Sequence, residues 1–114
     1  GTFSRSVDDL YVPYVRPQDH GNHTRTRWLA ISRPGGPHLR ATAAALFDWT
    51  LSRYGVEQLE AARHRHDLVP EAVVHWRLDV GQHGLGSASC GPDPEPAYRW
   101  YNAARAFRFE LAVC

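Results

Sequence analysis

Along most of this chain, apolar and polar residues alternate with a period of two. The C-terminal segment is the clearest case: Phe107, Phe109, Leu111 and Val113 fall on one face, and Arg108 and Glu110 on the other. Side chains of a strand point alternately to its two faces, so this pattern predicts a half-buried antiparallel strand. Val74, Trp76 and Leu78 alternate in the same way against His75, Arg77 and Asp79, and Phe47, Trp49 and Leu51 against Asp48 and Thr50. Further strands are predicted at about residues 10–15 and 25–32, and a short one over Tyr98 to Tyr101. Turn residues separate these runs at Pro17 to Gly21, Pro34 to Pro37, Gly81 to Gly91 and Pro92 to Pro96.

One segment departs from the alternation. Gly55 to His64, GVEQLEAARH, is rich in helix formers, and Val56, Leu59 and Ala62 or Arg63 share a helical face. It predicts about two turns of helix starting at Gly55. The expected class is therefore all-β, an antiparallel β-sandwich with one short helix, in a single domain over residues 1–114. About six strands make a lopsided sandwich with an uncovered apolar face, so part of a larger sheet system is expected to be missing.

Composition narrows the function classes. A chain of 114 residues holds one domain, and a net charge of +1 gives no field to steer nucleic acid or an anionic membrane. All 13 cationic residues are arginine, Ile31 is the sole isoleucine and methionine is absent, a usage that reads as the codon bias of a GC-rich genome. The absent initiator methionine points to a fragment or a processed chain. Cys90 and Cys114 are too few for a secreted disulfide scaffold and read as free thiols in a reducing compartment. With no signal peptide and no long apolar run, the expectation is a soluble protein.

Candidate chemistry gathers in GLGSASCGP, Gly84 to Pro92, preceded by His83. A cysteine nucleophile needs a base within reach, which His83 does not establish from spacing. A phosphate loop needs a Lys-Ser/Thr ending that is absent here. A loop whose glycines supply positive φ accounts for the residue types as well. His64 and His66, or His20 and His23, could offer two metal ligands, with no third one named by spacing. Asp79 and Asp93 flank the loop and could approach as a carboxylate pair, although solvated loop acids are the better explanation. Trp28, Trp49, Trp76 and Trp100 read as core residues on strands, with sugar stacking as the functional alternative. A free-standing carbohydrate-binding β-sandwich, or a metal-dependent enzyme using His64 and His66, therefore stays open at this level.

Four motifs in order carry a resemblance. YVRPQDHGNHTRTRWL (Tyr14 to Leu29), LSRYGVEQLEAARHRHDL (Leu51 to Leu68), LDVGQHGLGSASCGP (Leu78 to Pro92) and the final AYRW and FRFEL together resemble the C-terminal part of the small-chain domain of bacterial glycoside hydrolase family 2 β-galactosidases. The likeness runs from about Tyr11 to Cys114.

The resemblance implies the C-terminal part of a β-supersandwich of the galactose-mutarotase-like kind. It implies an accessory role in hydrolysis of terminal β-D-galactosides by a retaining enzyme. The catalytic glutamates would lie in a separate TIM-barrel domain, so no catalytic residue is expected here and the chain alone is expected to be inactive. Ser89, Cys90, Gly91 and Pro92 would form a loop at the sugar-pocket rim, Cys90 standing where some relatives place a sugar-stacking tryptophan. The expected partners are the rest of the β-galactosidase chain or a large subunit, the β-galactoside substrate and, in the parent enzyme, further copies in a homo-oligomer. Neither nucleic acid nor membrane is expected. No cofactor is expected in this segment, the parent's Mg and Na ions being bound elsewhere, and the location is expected to be cytoplasmic. Two departures stand out: His20 replaces the family's usual Asn, and Gly55 replaces a better helix N-cap.

Overall fold

Strand β2, His38–Ser52, is the strand with which every other strand of the described residues pairs. The computed structural model describes residues 1–83, 88 and 90–114. Its strands are β1 (His23–Ser32), β2, β3 (His75–Asp79) and β4 (Phe109–Val113), with one α-helix, α1 (Val56–Ala61). The sheet order is β1-β2-β3, with β4 also pairing to β2. The class is all-β, mostly antiparallel, with one short helix, as the alternation predicts. The chain divides into two units, one of Gly1–His23 with Trp49–Leu78 and one of Thr24–Asp48 with Asp79–Cys114.

In the second unit, the turn from β1 to β2 follows from PGG. Gly36 N–H donates to Arg33 O at 3.0 Å, and Gly35 takes φ 70. Proline at the second turn position and a positive-φ glycine at the third define a type II turn. β2 then begins well before Phe47, through an alanine-rich stretch whose helix propensity is overridden by pairing. Leu39 lies opposite Val113, Ala41 opposite Leu111 and Ala43 opposite Phe109 in antiparallel register. His38 and Cys114 exchange both backbone hydrogen bonds, at 3.0 and 2.9 Å, and extend the ladder by one pair. Ala41 and Phe47 are fully buried, and Phe47 meets Phe109 edge-on at 5.3 Å.

Strand β1 carries one strained residue. Arg25 has φ 56, the left-handed region that costs a non-glycine residue about 1–2 kcal/mol. Its backbone N–H donates to Asp48 Oδ1 at 2.9 Å. Asp48 is only 8% exposed, and a buried carboxylate must find donors, so this bond offsets the strain.

In the first unit, β2 continues as Trp49, Thr50 and Leu51, all buried. The alternation predicts Asp48 and Thr50 on a solvent face; instead both are buried, so the strand here is covered on both sides. The His23 ring stacks on Trp49, 4.1 Å between centroids and 8° from parallel. Leu59 presents the buried face of α1 and Ala62, the residue just after it, is also buried, while Val56 is half-exposed.

Glu71 explains how α1 starts on a glycine. Its Oε1 accepts the Gly55 N–H at 3.0 Å and a Gln58 side-chain N–H at 3.2 Å, and its Oε2 lies 2.9 Å from His75 Nε2. A Cβ on Gly55 would stand 3.2 Å from Glu71 Oε1 and 3.3 Å from His75 Cε1. Glycine is thus set by close approach, and a carboxylate distant in sequence does the work of a capping side chain. The helix ends at Ala61, short of the predicted His64, because Asp67 Oδ2 takes the Arg63 and His64 N–H groups at 3.0 and 2.9 Å. That local side-chain bonding competes with helix continuation.

Two predicted strands are absent. Residues 10–15 hold the end of a short 3-10 helix, Asp8–Leu10, followed by irregular chain. Ser6 and Asp9 cap each other's backbone, and Pro13 cannot donate to a ladder. Tyr98 to Tyr101 is likewise no strand: Pro96–Tyr98 forms a 3-10 turn, with Tyr98 N–H on Glu95 O at 2.8 Å. Pro96 at the first turn position favours that outcome.

Asp19 and Arg77 close the first unit around an ion pair. Arg77 donates through both terminal nitrogens, Nη1 to Asp19 Oδ2 at 2.8 Å and Nη2 to Oδ1. Arg77 hydrogen bonding holds the Asp19 carboxyl below its ordinary 3.8, and His75 hydrogen bonding holds Glu71 below 4.5. Both groups bind protons less readily folded than unfolded. Their stabilisation is complete above the ordinary carboxylate range and is lost as pH falls through the depressed values. Thermal melting should therefore be flat between about pH 5 and 7 and fall below about pH 4. Asp19→Asn should flatten part of that fall and cost about 1 kcal/mol at neutral pH, since both side chains are about one-third exposed.

Candidate functional site

Loop 84–92 is bracketed by His83 and Asp93, and these two residues face each other. His83 Nε2 lies 3.6 Å from Asp93 Oδ1. Its Nδ1 accepts the Trp100 backbone N–H at 3.2 Å, so the ring proton sits on Nε2 and points toward the carboxylate. Arg99 Nε lies 3.1 Å from Asp93 Oδ2 and donates to Pro94 O at 2.8 Å. A histidine, a carboxylate and a guanidinium thus knot the base of the loop, all within the second unit.

Trp100 is the packing element beneath this knot. It presses so closely on Gly81 that a Cβ there would fall 1.9 Å from Trp100 Cζ2. The Arg105 guanidinium carbon lies 4.1 Å from the Trp100 ring centroid, a cation–π contact on the same indole. Gly81 is therefore required by contact with a side chain rather than by its own φ.

Of the predicted rim residues, Cys90, Gly91 and Pro92 are exposed, and Ser89 lies outside the described residues, as do Gly84 to Ser87. Cys90 and Cys114 are both free and exposed, as the cysteine count predicts. His83 is engaged by Trp100 and Asp93, and no hydrogen bond joins it to Cys90 among the described residues. Asp93 pairs with His83 and Arg99, which gives it a structural partner in place of a second carboxylate.

The histidine pairs do not gather ligands. His64 and His66 stack on each other at 5.2 Å, while His20 and His23 each turn Nδ1 to a nearby backbone carbonyl at 2.8 Å. No group of three or more His, Cys, Asp or Glu that could hold a metal occurs among the described residues. No described helix is long and apolar enough to cross a membrane. Of the four tryptophans, only Trp49 is core-buried. Trp28 is 43% exposed beneath Arg40, Trp76 is half-buried, and Trp100 lies on no strand.

Sequence reasoning missed the His83–Asp93–Arg99 knot and the Trp100–Gly81 contact. Both join residues separated by the loop, where no periodicity operates. Only the bracketing of a glycine-rich excursion by a histidine and an aspartate signals the first.

Comparison with known proteins supplies the context. The model of the family described as beta galactosidase small chain matches residues 1–112. A β-galactosidase of Arthrobacter sp. (strain B7) is 36% identical over 110 residues, covering 92% of this chain and 11% of that protein. The β-galactosidase of Staphylococcus xylosus is 34% identical over 109 residues, covering 96% and 11%. That of Kluyveromyces lactis is 34% identical over 111 residues, covering 96% and 10%. The chain thus spans about a tenth of the length of the relatives it matches.

The contact beneath the loop yields a direct test. Gly81→Ala should displace Trp100 and lower stability by about 1–3 kcal/mol, the usual cost of overpacking. Urea denaturation measures it, and Gly81→Ala combined with Trp100→Leu should recover part of the loss.

Proposed function

The chain belongs to the beta galactosidase small chain family, and we propose that it serves as an accessory, C-terminal part of a retaining β-galactosidase. The observation that carries this reading is the family match over nearly the whole chain, at about a tenth of the relatives' length. In this reading residues 1–114 act as one domain segment that completes the parent fold. The glutamates that cleave terminal β-D-galactosides, and the parent's Mg and Na ions, belong to other parts of that enzyme. The segment alone is inactive. The parent is a cytoplasmic homo-oligomer.

Physical support comes from the β2–β4 surface. Leu39, Ala41 and Ala43 share a face with Val113, Leu111 and Phe109 by register. Leu111 is 57% exposed and Val113 75% exposed on that face. Apolar side chains left this open gain roughly 25 cal/mol per Å² when covered. A larger sheet system contributed by the parent supplies such a cover.

The loop reading follows from the same premise. Ser89, Cys90, Gly91 and Pro92 form part of the rim of the sugar pocket, held in place by the knot of His83, Asp93 and Arg99. Among the described residues there, none is arranged to attack a glycosidic bond, so the contribution in this reading is contact and shape. Cys90, small and weakly polar, offers an acceptor sugar less stacking surface than an indole would.

Thiol chemistry tests the rim assignment in the full-length enzyme. With Cys114→Ala as background, alkylation of Cys90 by a bulky maleimide should lower kcat/KM for lactose at least fivefold, and Cys90→Ala should abolish that sensitivity. Unchanged kcat/KM after complete alkylation would contradict the rim role. Co-expression of this chain with the remainder of its parent tests the accessory role: activity should depend on the chain, and equal activity without it would contradict the reading.

A further inference from the structure

Between Thr24 and Phe47 the chain has four arginines, Arg25, Arg27, Arg33 and Arg40, one histidine and no acidic residue. The whole chain is nearly balanced, with 13 arginines against 12 acids, so the hairpin of β1 and β2 holds a local excess of positive charge. Codon bias accounts for arginine in place of lysine and leaves the absence of acids unexplained. All four arginines are exposed. Among the described residues none of their guanidinium groups is in an ion pair. Arg40 instead lies over the Trp28 ring, 5.0 Å from its centroid, and that tryptophan is 43% exposed.

Strand β1 is also an edge. Among the described residues its one neighbour is β2, along a strand of 10 residues. Proline is absent from His23 to Ser32, so every residue keeps its N–H, and alternate residues turn N–H and C=O away from β2. A row of that kind is a template for a further strand. Charges and irregularities can instead keep an edge unpaired, and Arg25, at φ 56, is such an irregularity near the start of β1. Residues 26–32 beyond it remain extended. An edge meant only for water has no need of an exposed indole, whereas tryptophan and arginine are the side chains that dominate the energy of protein interfaces.

The placement of the cations restricts the partner. Arg27 and Trp28 are consecutive in an extended strand and so lie on opposite faces. Arg40 shares the Trp28 face. A partner that meets both Arg27 and Arg40 therefore runs along the β1 edge, its backbone on the open N–H and C=O groups and its acidic side chains reaching each face. Carboxylates match the planar guanidinium fork, and strand addition supplies the backbone bonds. This chain covers 11% of the Arthrobacter and Staphylococcus relatives, so most of such a protein lies outside it. A segment of the same polypeptide outcompetes a free molecule through its high effective concentration.

We propose that the outer edge of β1 pairs with an acidic strand from the remainder of the parent chain, whose carboxylates meet Arg27 and Arg40. This pairing rests on the accessory role given above, and it involves neither the apolar β2–β4 face nor the rim loop.

Carbodiimide coupling in the full-length enzyme tests the carboxylates. This segment has no lysine of its own, so Arg27→Lys and Arg40→Lys each keep the charge and place a single side-chain amine on the hairpin. Mass spectrometry should find each amine in an amide with an Asp or Glu outside residues 1–114. Denaturing electrophoresis should show the coupled product at the mass of one chain. Hydrogen exchange of the unsubstituted enzyme tests the backbone: the outward amides of residues 26–32 should exchange within fivefold of the inward ones that bond to β2. If one variant does not fold, the other and the exchange measurement decide. No amide at either position, or coupling only to a second copy or within residues 1–114, would overturn the proposal. So would outward amides exchanging more than fivefold faster, the result expected of an edge kept open by its charges. Activity that depends on this chain, together with failed coupling, would leave the accessory role standing and remove the pairing alone.

Discussion

The structure depends on one strand being shared. β2 is 15 residues long, and β1, β3 and β4 all pair with it. Its first part belongs to one unit and its last part to the other. Most of the buried residues lie on it: Ala41, Phe47, Asp48, Trp49, Thr50 and Leu51. A strand covered on both faces cannot keep its polar side chains in water, so Asp48 and Thr50 must find partners. Asp48 finds the Arg25 backbone N–H and fixes a strained residue in β1. Thr50 Oγ1 finds no hydrogen-bond partner among the described residues, and the residue lines a cavity.

Charged groups then do what a core this small cannot. Among the described residues the buried hydrophobic core is Ala41, Phe47, Trp49, Leu51, Leu59 and Ala62, while many large apolar side chains remain exposed. Glu71 ties the start of α1 to β3 through Gly55 and His75, and Asp19 meets Arg77 of β3. Around the loop, His83, Asp93 and Arg99 play the same part. These pairs are half-exposed, so their value lies more in fixing geometry than in net stability. That geometry is what a segment needs if it presents a loop and an open apolar face to a larger enzyme.

Much of this was legible in the sequence. Alternation placed β3, β4 and the later part of β2, and the Val56–Leu59–Ala62 spacing placed α1. PGG placed the turn between β1 and β2. The start of β2 was not legible, because its alanines favour helix and only pairing with β4 makes them a strand. Residues 10–15 and 98–101 looked apolar enough for strands, but Pro13 and Pro96 favour other local structure. Asp48 and Thr50 looked like a solvent face because periodicity reports alternation and not what covers each side. The motifs pointed to the family, and the family match agrees. The charge knot beneath the loop and the cavity of the first unit had no sequence signal, since each is built from residues far apart in the chain.

The central claim is that this segment completes a larger β-galactosidase, whose other parts cover the β2–β4 face. Hydroxyl-radical footprinting of Phe109, Leu111 and Val113 tests it most directly, comparing the isolated chain with the full-length enzyme. The account predicts strong labelling of Leu111 and Val113 in the isolated chain and at least a severalfold reduction in the enzyme. Equal labelling of these side chains in both would contradict it.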